Sequence, residues 1–395
     1  MVKQTTQLIT LLIIVFSFTA TAQQKEEPTK PQITYTKIND SFWVLHGGNG
    51  LGANVGMSVG KDGILLVDAM NINSGKILLE AIRTISDKPI KFVINTHQHR
   101  DHRGGNEALV EAGATIIYPN YLKYLFGSTT KYEGAQRDIQ FKDKMTIKFN
   151  DEIFELFHVK SHTWNDVIVK ARNNNVLFTG DNHATSWGPN IGVRGLRSVK
   201  DVFSLSLALS DDKTVVVPGH TKLADRNHLI EYKKRVYQWF DYIFSESKKG
   251  KSIEQIAESK TVNDLMVWFH GGKYPEWLKP DRLLARVEYT LLADESGVLN
   301  LTKKQLLNYE GIYQLADGSS VKIFSQGDEL YAFKKDAFFV FLMARSDSHF
   351  DFHGWNEQER LDFSYDSKRN ITELTFSING KVEFTATKIE PSMGL

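Results

Sequence analysis

The sequence predicts a layered α/β fold followed by a small β-rich domain, and three observations support this prediction. Strand-like and helical segments alternate over the first part of the chain, as they do in layered α/β proteins. Residues that can bind metal ions follow several of the apolar segments. Beyond about residue 300, short alternating segments separated by Gly-containing turns are typical of an antiparallel β domain.

The composition is that of an ordinary globular chain with room for more than one domain. Its 395 residues are 41% hydrophobic and 24% charged, with a formal net charge of +1. No long block of like charge is present, which argues against a nucleic-acid partner, because phosphate binding requires a basic surface. The absence of cysteine excludes disulfides and thiolate ligands, so stability has to come from packing and bound metal.

The first 22 residues have the features of a secretory signal peptide. A short basic start precedes an apolar core from Leu8 to Phe18, and Ala20-Thr21-Ala22 fits a small-x-small cleavage site. We expect cleavage after Ala22, a flexible polar leader at residues 23–32, and a periplasmic or secreted protein with no stable membrane association. An uncleaved N-terminal anchor is the alternative.

The predicted α/β domain spans residues 33–250. Two strand-like segments, 54–59 and 63–68, flank a Gly-Lys-Asp-Gly turn and predict a hairpin. A helix is predicted around residues 77–82, then a buried strand at Ile90–Ile94 and a helix at residues 105–112. The later predicted elements are a helix at 199–209 and strands at 145–149, 153–157, 167–169, 176–179 and 215–217.

Two further regions follow the α/β domain. The α/β domain itself ends with a stretch from Asp225 to about Lys248 that has an apolar face at helical spacing, and shorter helical segments after it predict a helical extension over residues 251–300. Residues 301–395 predict a small antiparallel barrel or sandwich, weakly similar to the lipocalin-like domains appended to exported bacterial hydrolases. Capping of an active site, dimerisation and simple stabilisation are all open roles for this domain.

Four potential metal ligands occur within six residues, directly after the predicted strand Ile90–Ile94. The motif is Thr96-His97-Gln98-His99-Arg100-Asp101-His102. Three imidazoles and a carboxylate this close would repel one another when protonated and would be costly to desolvate unpaired. A bound divalent cation removes both problems, so the spacing predicts a metal site, with a metal-free polar loop as the alternative.

Three further positions repeat this arrangement of a strand followed by a possible ligand. His162 lies in a loop between two predicted strands, Asp181 ends an apolar segment, and His220 follows Val217-Pro218-Gly219. Each residue alone would more often be a loop histidine or a capping aspartate. Together they predict convergence on one edge of a sheet.

These motifs, with Arg103-Gly104-Gly105-Asn106 after the first cluster, resemble the ordered motifs of the metallo-β-lactamase superfamily over about residues 40–250. The resemblance implies an αββα metallo-β-lactamase sandwich with a two-metal site at its edge. The resemblance implies that one metal ion is held by His97, His99 and His162. It implies that the other metal ion is held by Asp101, His102 and His220, and that Asp181 bridges the two ions. By analogy, Asp101 also orients the nucleophile and takes up a proton.

The resemblance implies a hydrolase acting on a small molecule. True β-lactamases of the superfamily carry Cys or Ser where this chain has Asp181, whereas a bridging Asp is similar to glyoxalase II and lactonases. The implied reaction is attack of a metal-bridging hydroxide on an ester, thioester, lactone or amide. Nitrogen and oxygen ligands suit two Zn2+ ions, with Fe or Mn as open alternatives. The alternative functions are β-lactam hydrolysis and a non-catalytic metal-binding or sensor role.

One stretch without a clear motif is a candidate for substrate binding. Its candidate residues are His183, Trp187, Asn190 and Arg194. A solvated connecting loop is an equally open interpretation. The sequence does not indicate the oligomeric state.

Overall fold

The computed structural model describes residues 32–390 except 49, 120–136, 295–297, 336 and 353–358. The predicted signal peptide and nearly all of the predicted leader lie outside these residues. None of the helices in the described part is long and apolar enough to cross a membrane.

The first sheet has seven strands, which lie side by side in sequence order. They are β1 (Thr34–Asn39), β2 (Phe42–His46), β3 (Val55–Gly60), β4 (Gly63–Val67), β5 (Ile90–Ile94), β6 (Thr115–Pro119) and β7 (Asp138–Phe141). Pairing is antiparallel from β1 to β4 and parallel from β4 to β7, so the later strands need crossover connections. The described connections contain a 3-10 helix (Ile72–Ser74), α1 (Gly75–Ile85), α2 (Arg100–Arg103) and α3 (Asn106–Glu111).

The second sheet has five strands. They are β8 (Lys144–Phe149), β9 (Glu152–Val159), β10 (Asp166–Ala171), β11 (Val176–Gly180) and β12 (Val215–Pro218). β8 to β11 form an antiparallel meander. β12 pairs with β11 in parallel, and helix α4 (Leu196–Ala208) makes the connection between them.

The two sheets pack face to face with helices on both outer sides. Buried side chains of both sheets share one cluster, for example Val67 and Ile94 with Val169 and Val217. On the outer side of the first sheet, α1 and α3 bury their apolar faces. On the second sheet, α4 packs with α5 (Arg226–Lys248), α6 (Ile253–Ala257), α7 (Lys260–Phe269) and α8 (Pro280–Leu292). The predicted α/β class is therefore confirmed as an αββα sandwich.

The C-terminal domain is a closed antiparallel barrel, which resolves the choice between barrel and sandwich. Its elements are α9 (Lys303–Tyr309), β13 (Gly311–Gln314), β14 (Ser320–Gln326), β15 (Glu329–Lys334), β16 (Phe338–Ala344), β17 (His349–Phe352), β18 (Glu359–Tyr365), β19 (Ile371–Ile378) and β20 (Lys381–Glu390). Alternate residues such as Leu330 and Ala332 join the barrel core, whereas Tyr331 joins a separate cluster with Trp164 of the sandwich. This period of two gives β15 one face for the barrel core and one for the sandwich.

Candidate metal centre

The predicted ligands lie where neighbouring elements end at one edge of the sandwich. β5 leads to His97 and His99, α2 carries Asp101 and His102, and the loops after β9, β11 and β12 carry His162, Asp181 and His220. The Val167 N–H donates to the Thr96 carbonyl at 2.6 Å, and the Gly219 N–H donates to the Gly180 carbonyl at 2.8 Å. These backbone bonds fasten the ligand-bearing loops to one another.

Gly219 is required for the strand ends to approach this closely. A Cβ atom added at this position would lie 2.1 Å from Asp181 Oδ1 and 2.7 Å from His102 Cε1. Because atoms do not pack this closely without bonding, any larger residue would displace both side chains. The Gly before His220 is thus part of the site's construction.

The first ligand group contains His97, His99, His162 and Asp181, whose ligand atoms all lie within 4.8 Å of one another. Nδ1 of His99 lies 3.0 Å from Nε2 of His97 and 3.1 Å from Nε2 of His162. Asp181 Oδ2 lies 3.6 Å from His162 Nε2 and 3.9 Å from His97 Nε2. Ligand atoms of a tetrahedral zinc site lie about 3.3 Å apart, so this group can surround one cation.

The second group contains Asp101, His102, His220 and again Asp181. Nε2 of His102 lies 3.2 Å from both Nε2 of His220 and Asp181 Oδ1. Asp101 Oδ2 lies 3.0 Å from His220 Nε2. Asp181 therefore presents one oxygen atom to each group, which is the arrangement of a bridging ligand.

Burial and charge together set the protonation of the cluster. Burial lowers the pKa of His97 well below its usual value and lowers the pKa of His162 to about 4. Burial acts in the same direction on His102, but the carboxylates of Asp181 and Asp68 raise its pKa well above the usual value. For Asp181, burial favours protonation, but His102 outweighs it and holds the carboxyl pKa well below the usual range. Metal ligands bind in their deprotonated form, so metal binding has to displace a proton from a group such as His102, whose pKa is raised.

The polar contacts of the cluster fit bound cations. Three pairs of imidazole nitrogen atoms lie 3.0 to 3.2 Å apart. Each pair needs a proton between its two nitrogen atoms to form a hydrogen bond, whereas one cation can accept several nitrogen ligands at once. Asp181 Oδ1 is buried and makes no hydrogen bond of regular geometry to any described residue. Since buried polar atoms are normally satisfied, two cations with nitrogen and oxygen ligands match the residues present.

Asp68 is a further site residue, which the motifs did not single out. Its Oδ2 lies 2.9 Å from His102 Nδ1, and its carboxylate accepts hydrogen bonds from the N–H and hydroxyl of Thr96 at 2.7 and 2.8 Å. The carboxylate holds the proton of His102 on Nδ1 and leaves Nε2 free to bind metal. Because Asp68 directly follows β4, the pattern of a strand followed by a ligand could have identified it.

Two of the four candidate substrate residues lie at a cavity beside the first ligand group. Trp187 and Asn190 line this cavity of about 220 Å³ together with His162. The rings of Trp187 and His162 are 6.1 Å apart in a T-shaped arrangement. The loop therefore brings an aromatic wall to the metal centre.

The structure places the other two candidates away from the residues that line this cavity. His183 is buried, with Nε2 at 2.8 Å from Nδ1 of His228, and packs on Tyr232. Arg194 forms an ion pair with Glu329 of the barrel and another with Asp201 at 2.9 Å. Both side chains thus anchor the ends of the loop.

The barrel supports the loop that carries His162. Trp164, two residues after this ligand, packs against Phe339 of the barrel in a tilted arrangement with ring centroids 4.5 Å apart. Lys160, two residues before it, donates to Gln326 Oε1 at 2.7 Å and to the Tyr331 hydroxyl at 3.0 Å. The bulky residue after His162 therefore contacts the barrel.

We expect Glu329→Gln to lower the stability of the protein by about 2 kcal/mol, the usual value of a hydrogen bond to a charged group. Glu329 is buried and accepts hydrogen bonds from Arg194 and Tyr331. Urea unfolding followed by circular dichroism measures the change, with exposed Glu288→Gln as the matched control. Equal midpoints for Glu329→Gln and the control would mean that this contact contributes no stability.

An αββα sandwich with two ligand groups that share a carboxylate provides a candidate two-metal centre. Residues 48–220 match the family model of the metallo-beta-lactamase superfamily. These residues contain all seven ligand positions, and the resemblance predicted from the motifs is confirmed. Residues 48–220 are thus similar to this superfamily.

Individual relatives cover parts of the chain. The cytoplasmic hydroxyacylglutathione hydrolase of Arabidopsis thaliana is 36% identical over 95 residues, which are 23% of this chain and 34% of that enzyme. The chain thus aligns with about a third of that relative's length. A metallo-beta-lactamase type 2 of Bacillus sp. (strain 170) is 26% identical over 213 residues, 50% of this chain and 80% of that enzyme.

A solved structure shares the fold. A double mutant of the sec-alkyl sulfatase PisA1 superposes with a TM-score of 0.51 at 16% sequence identity. The match covers 66% of this chain and 50% of that one. At this identity the likeness concerns the fold alone.

Proposed function

We propose that this protein is a dinuclear metal-dependent hydrolase of a small ester, thioester, lactone or amide. The observation that carries the proposal is the pair of ligand groups sharing Asp181, with one carboxylate oxygen directed to each. Two-metal centres of this kind serve displacement reactions by water. Zn2+ is the proposed metal because nitrogen and oxygen ligands suit it, and Fe or Mn would use the same ligands.

When bound, the two cations would acidify a water molecule and polarise the carbonyl oxygen of the substrate. The chain itself supplies rigidity and proton transfer. His97 and His102 are almost fully buried and form a fixed floor, whereas the Asp101 side chain is 36% exposed. Asp101 is therefore placed to take up a proton from water and pass it to solvent.

Hydrolysis in this site balances without a nucleophile from the protein. The water oxygen bonds to the carbonyl carbon, the bond to the leaving oxygen, sulfur or nitrogen breaks, and the leaving atom gains a proton. Cysteine is absent from the chain, so a thiolate mechanism is excluded. The cavity beside His162 gives the substrate an entry path next to the ligands.

A second candidate function is β-lactam hydrolysis. The alignment over 80% of the Bacillus metallo-beta-lactamase supports it. Asp181 argues against it, because the β-lactamases that the motifs resemble carry Cys or Ser at this position. A non-catalytic metal-binding or sensor role ranks lower, because no ligand of either group is missing.

Metal removal tests the proposal directly. The zinc-loaded protein should hydrolyse at least one member of a panel of esters, lactones and thioesters, including a hydroxyacylglutathione. Activity should disappear after chelation and return when Zn2+ is added back. A nitrocefin assay tests the β-lactamase alternative. Undiminished activity of the metal-free protein, or no turnover of any panel member, would contradict the proposal.

We further propose that the protein is exported and acts as a periplasmic or secreted enzyme. The basic start, apolar core and Ala20-Thr21-Ala22 site support this location. A small molecule is the proposed partner, and the near-neutral net charge does not favour nucleic acid. Mass spectrometry of the protein from a periplasmic fraction should find Gln23 at the N-terminus.

A further inference from the structure

The cavity beside the metal centre has two arginines in its wall. Arg282 and Arg286 lie one turn apart on α8 and therefore lie on the same face of that helix. Trp187 and Ile191 contribute apolar surface from the opposite loop. His162, a ligand of the first group, lines the same cavity. One continuous space thus connects the ligand group with two cationic side chains.

Arg286 is fixed in position, but its charge has no counter-ion among the residues that the structure describes. Its Nη1 donates to the carbonyl oxygens of Gly188 and Pro189 at 2.8 and 2.9 Å. It pairs with no carboxylate in the described part of the chain. Burial lowers the pKa of this guanidinium, as expected for a cation that loses water without gaining an anion. Such a group stabilises an anion that enters the cavity.

Arg282 is an exposed second cation at this cavity. Its guanidinium carbon lies 5.9 Å from the centroid of the Trp277 ring. Its guanidinium makes neither a hydrogen bond nor an ion pair with any residue that the structure describes. Its donors are therefore available to a ligand, and a guanidinium binds a carboxylate through two parallel hydrogen bonds.

We propose that the substrate carries a carboxylate, which Arg282 and Arg286 bind while the scissile bond lies at the metal centre. The proposal rests on the hydrolytic function proposed above. The apolar surface of Trp187 and Ile191 requires a hydrocarbon spacer between the carboxylate and the scissile carbonyl. The cavity of about 220 Å³ is smaller than the sites of drug-sized ligands, about 300–1,000 Å³, so the spacer is short. The proposed substrate is therefore a small ester, thioester, lactone or amide whose acyl part carries one free carboxylate.

A matched pair of substrates tests this specificity in the metal-loaded mature protein. The 4-nitrophenyl monoester of adipic acid carries a free carboxylate, and 4-nitrophenyl hexanoate is its neutral counterpart. We expect kcat/KM to favour the carboxylated ester by about tenfold, which is typical of a hydrogen bond to a charged group. Arg282→Gln should remove most of this preference by lowering kcat/KM for the carboxylated ester more than for the neutral ester.

Lys279→Gln is the matched control, because it removes one exposed positive charge near the start of α8 from a residue that does not line the cavity. Arg282→Lys, which keeps the charge, should keep part of the preference. Equal preference in the wild type and Arg282→Gln would overturn the proposal. An equal loss in Lys279→Gln would also overturn it, since the effect would then be one of general charge.

A binding measurement separates this proposal from the hydrolytic one. Calorimetry of the metal-loaded protein compares hexanoate with 1-hexanol, neither of which contains a bond that the proposed reaction cleaves. Tighter binding of hexanoate that is lost in Arg282→Gln, but kept in Lys279→Gln, supports the carboxylate site even if no ester is hydrolysed. No difference between the two ligands would overturn the carboxylate site even if esters are hydrolysed.

Discussion

Replacing Asp181 by alanine should lower the bound metal below two ions and reduce kcat/KM by about a thousandfold, because both ligand groups lose a member. Its Oδ1 lies 3.2 Å from His102 Nε2, and its Oδ2 lies 3.6 Å from His162 Nε2. No other carboxylate belongs to both ligand groups in the described part of the chain. Plasma emission spectroscopy of the purified protein measures the number of bound metal ions. Steady-state kinetics on the best ester substrate measure kcat/KM.

Asp212→Ala is the control for this experiment, since it removes an exposed carboxylate that belongs to neither ligand group. The thermal midpoint of the metal-free proteins shows whether Asp181→Ala still folds. A variant that keeps two metal ions and near-normal kcat/KM would show that Asp181 does not bridge the groups.

The clustering of the candidate ligands was predictable because local sequence carries the signal. His97 and His99 come soon after an apolar segment, and β5 ends at Ile94, with Asn95 and Thr96 between its end and His97. Neighbouring strands end at the same sheet edge, so residues that follow them converge without any knowledge of side-chain packing. The same reasoning should have included Asp68, but a lone Asp after a strand is also a common turn residue.

The partners of the candidate substrate loop were not predictable in the same way. Arg194 and Glu329 are 135 residues apart, and no local pattern links them. Their contact depends on which face of β15 turns outward and on how the barrel docks. Those features are set by tertiary packing. Sequence periodicity shows which residues of a strand share a face, but it does not show what that face packs against.

The role of the helical extension also emerged only from the fold. Sequence periodicity indicates that α8 is amphipathic, but a residue such as Arg286 at its edge would be assigned to solvent. In the structure, Arg286 donates to the loop carbonyls of Gly188 and Pro189, nearly a hundred residues away. The cavity therefore combines a loop and a helix whose proximity depends on the whole sandwich.

Asp68→Asn should weaken metal binding at the second ligand group by about 10- to 100-fold, with little effect on the fold. The amide keeps an acceptor for the Thr96 N–H but places an N–H donor where Oδ2 now faces His102 Nδ1 at 2.9 Å. His102 then has to accept at Nδ1 and carry its proton on Nε2. A protonated Nε2 cannot bind metal, so the imidazole is lost as a ligand although it stays in place. Chelator competition titrations measure the affinity of each metal ion.

The control is a second His–Asp pair that lies outside the site. In the barrel, His349 Nδ1 lies 2.8 Å from Asp362 Oδ1, so Asp362→Asn makes the same chemical change without touching a ligand. We expect Asp362→Asn to keep its metal affinity and Asp68→Asn to lose affinity for only one of the two metal ions. This combination would identify the tautomer of His102 as the cause. Full affinity of both ions in Asp68→Asn would mean that His102 does not bind metal through Nε2. An equal loss at both ions would instead indicate that Asp68 supports the loop through Thr96, which leads to both ligand groups.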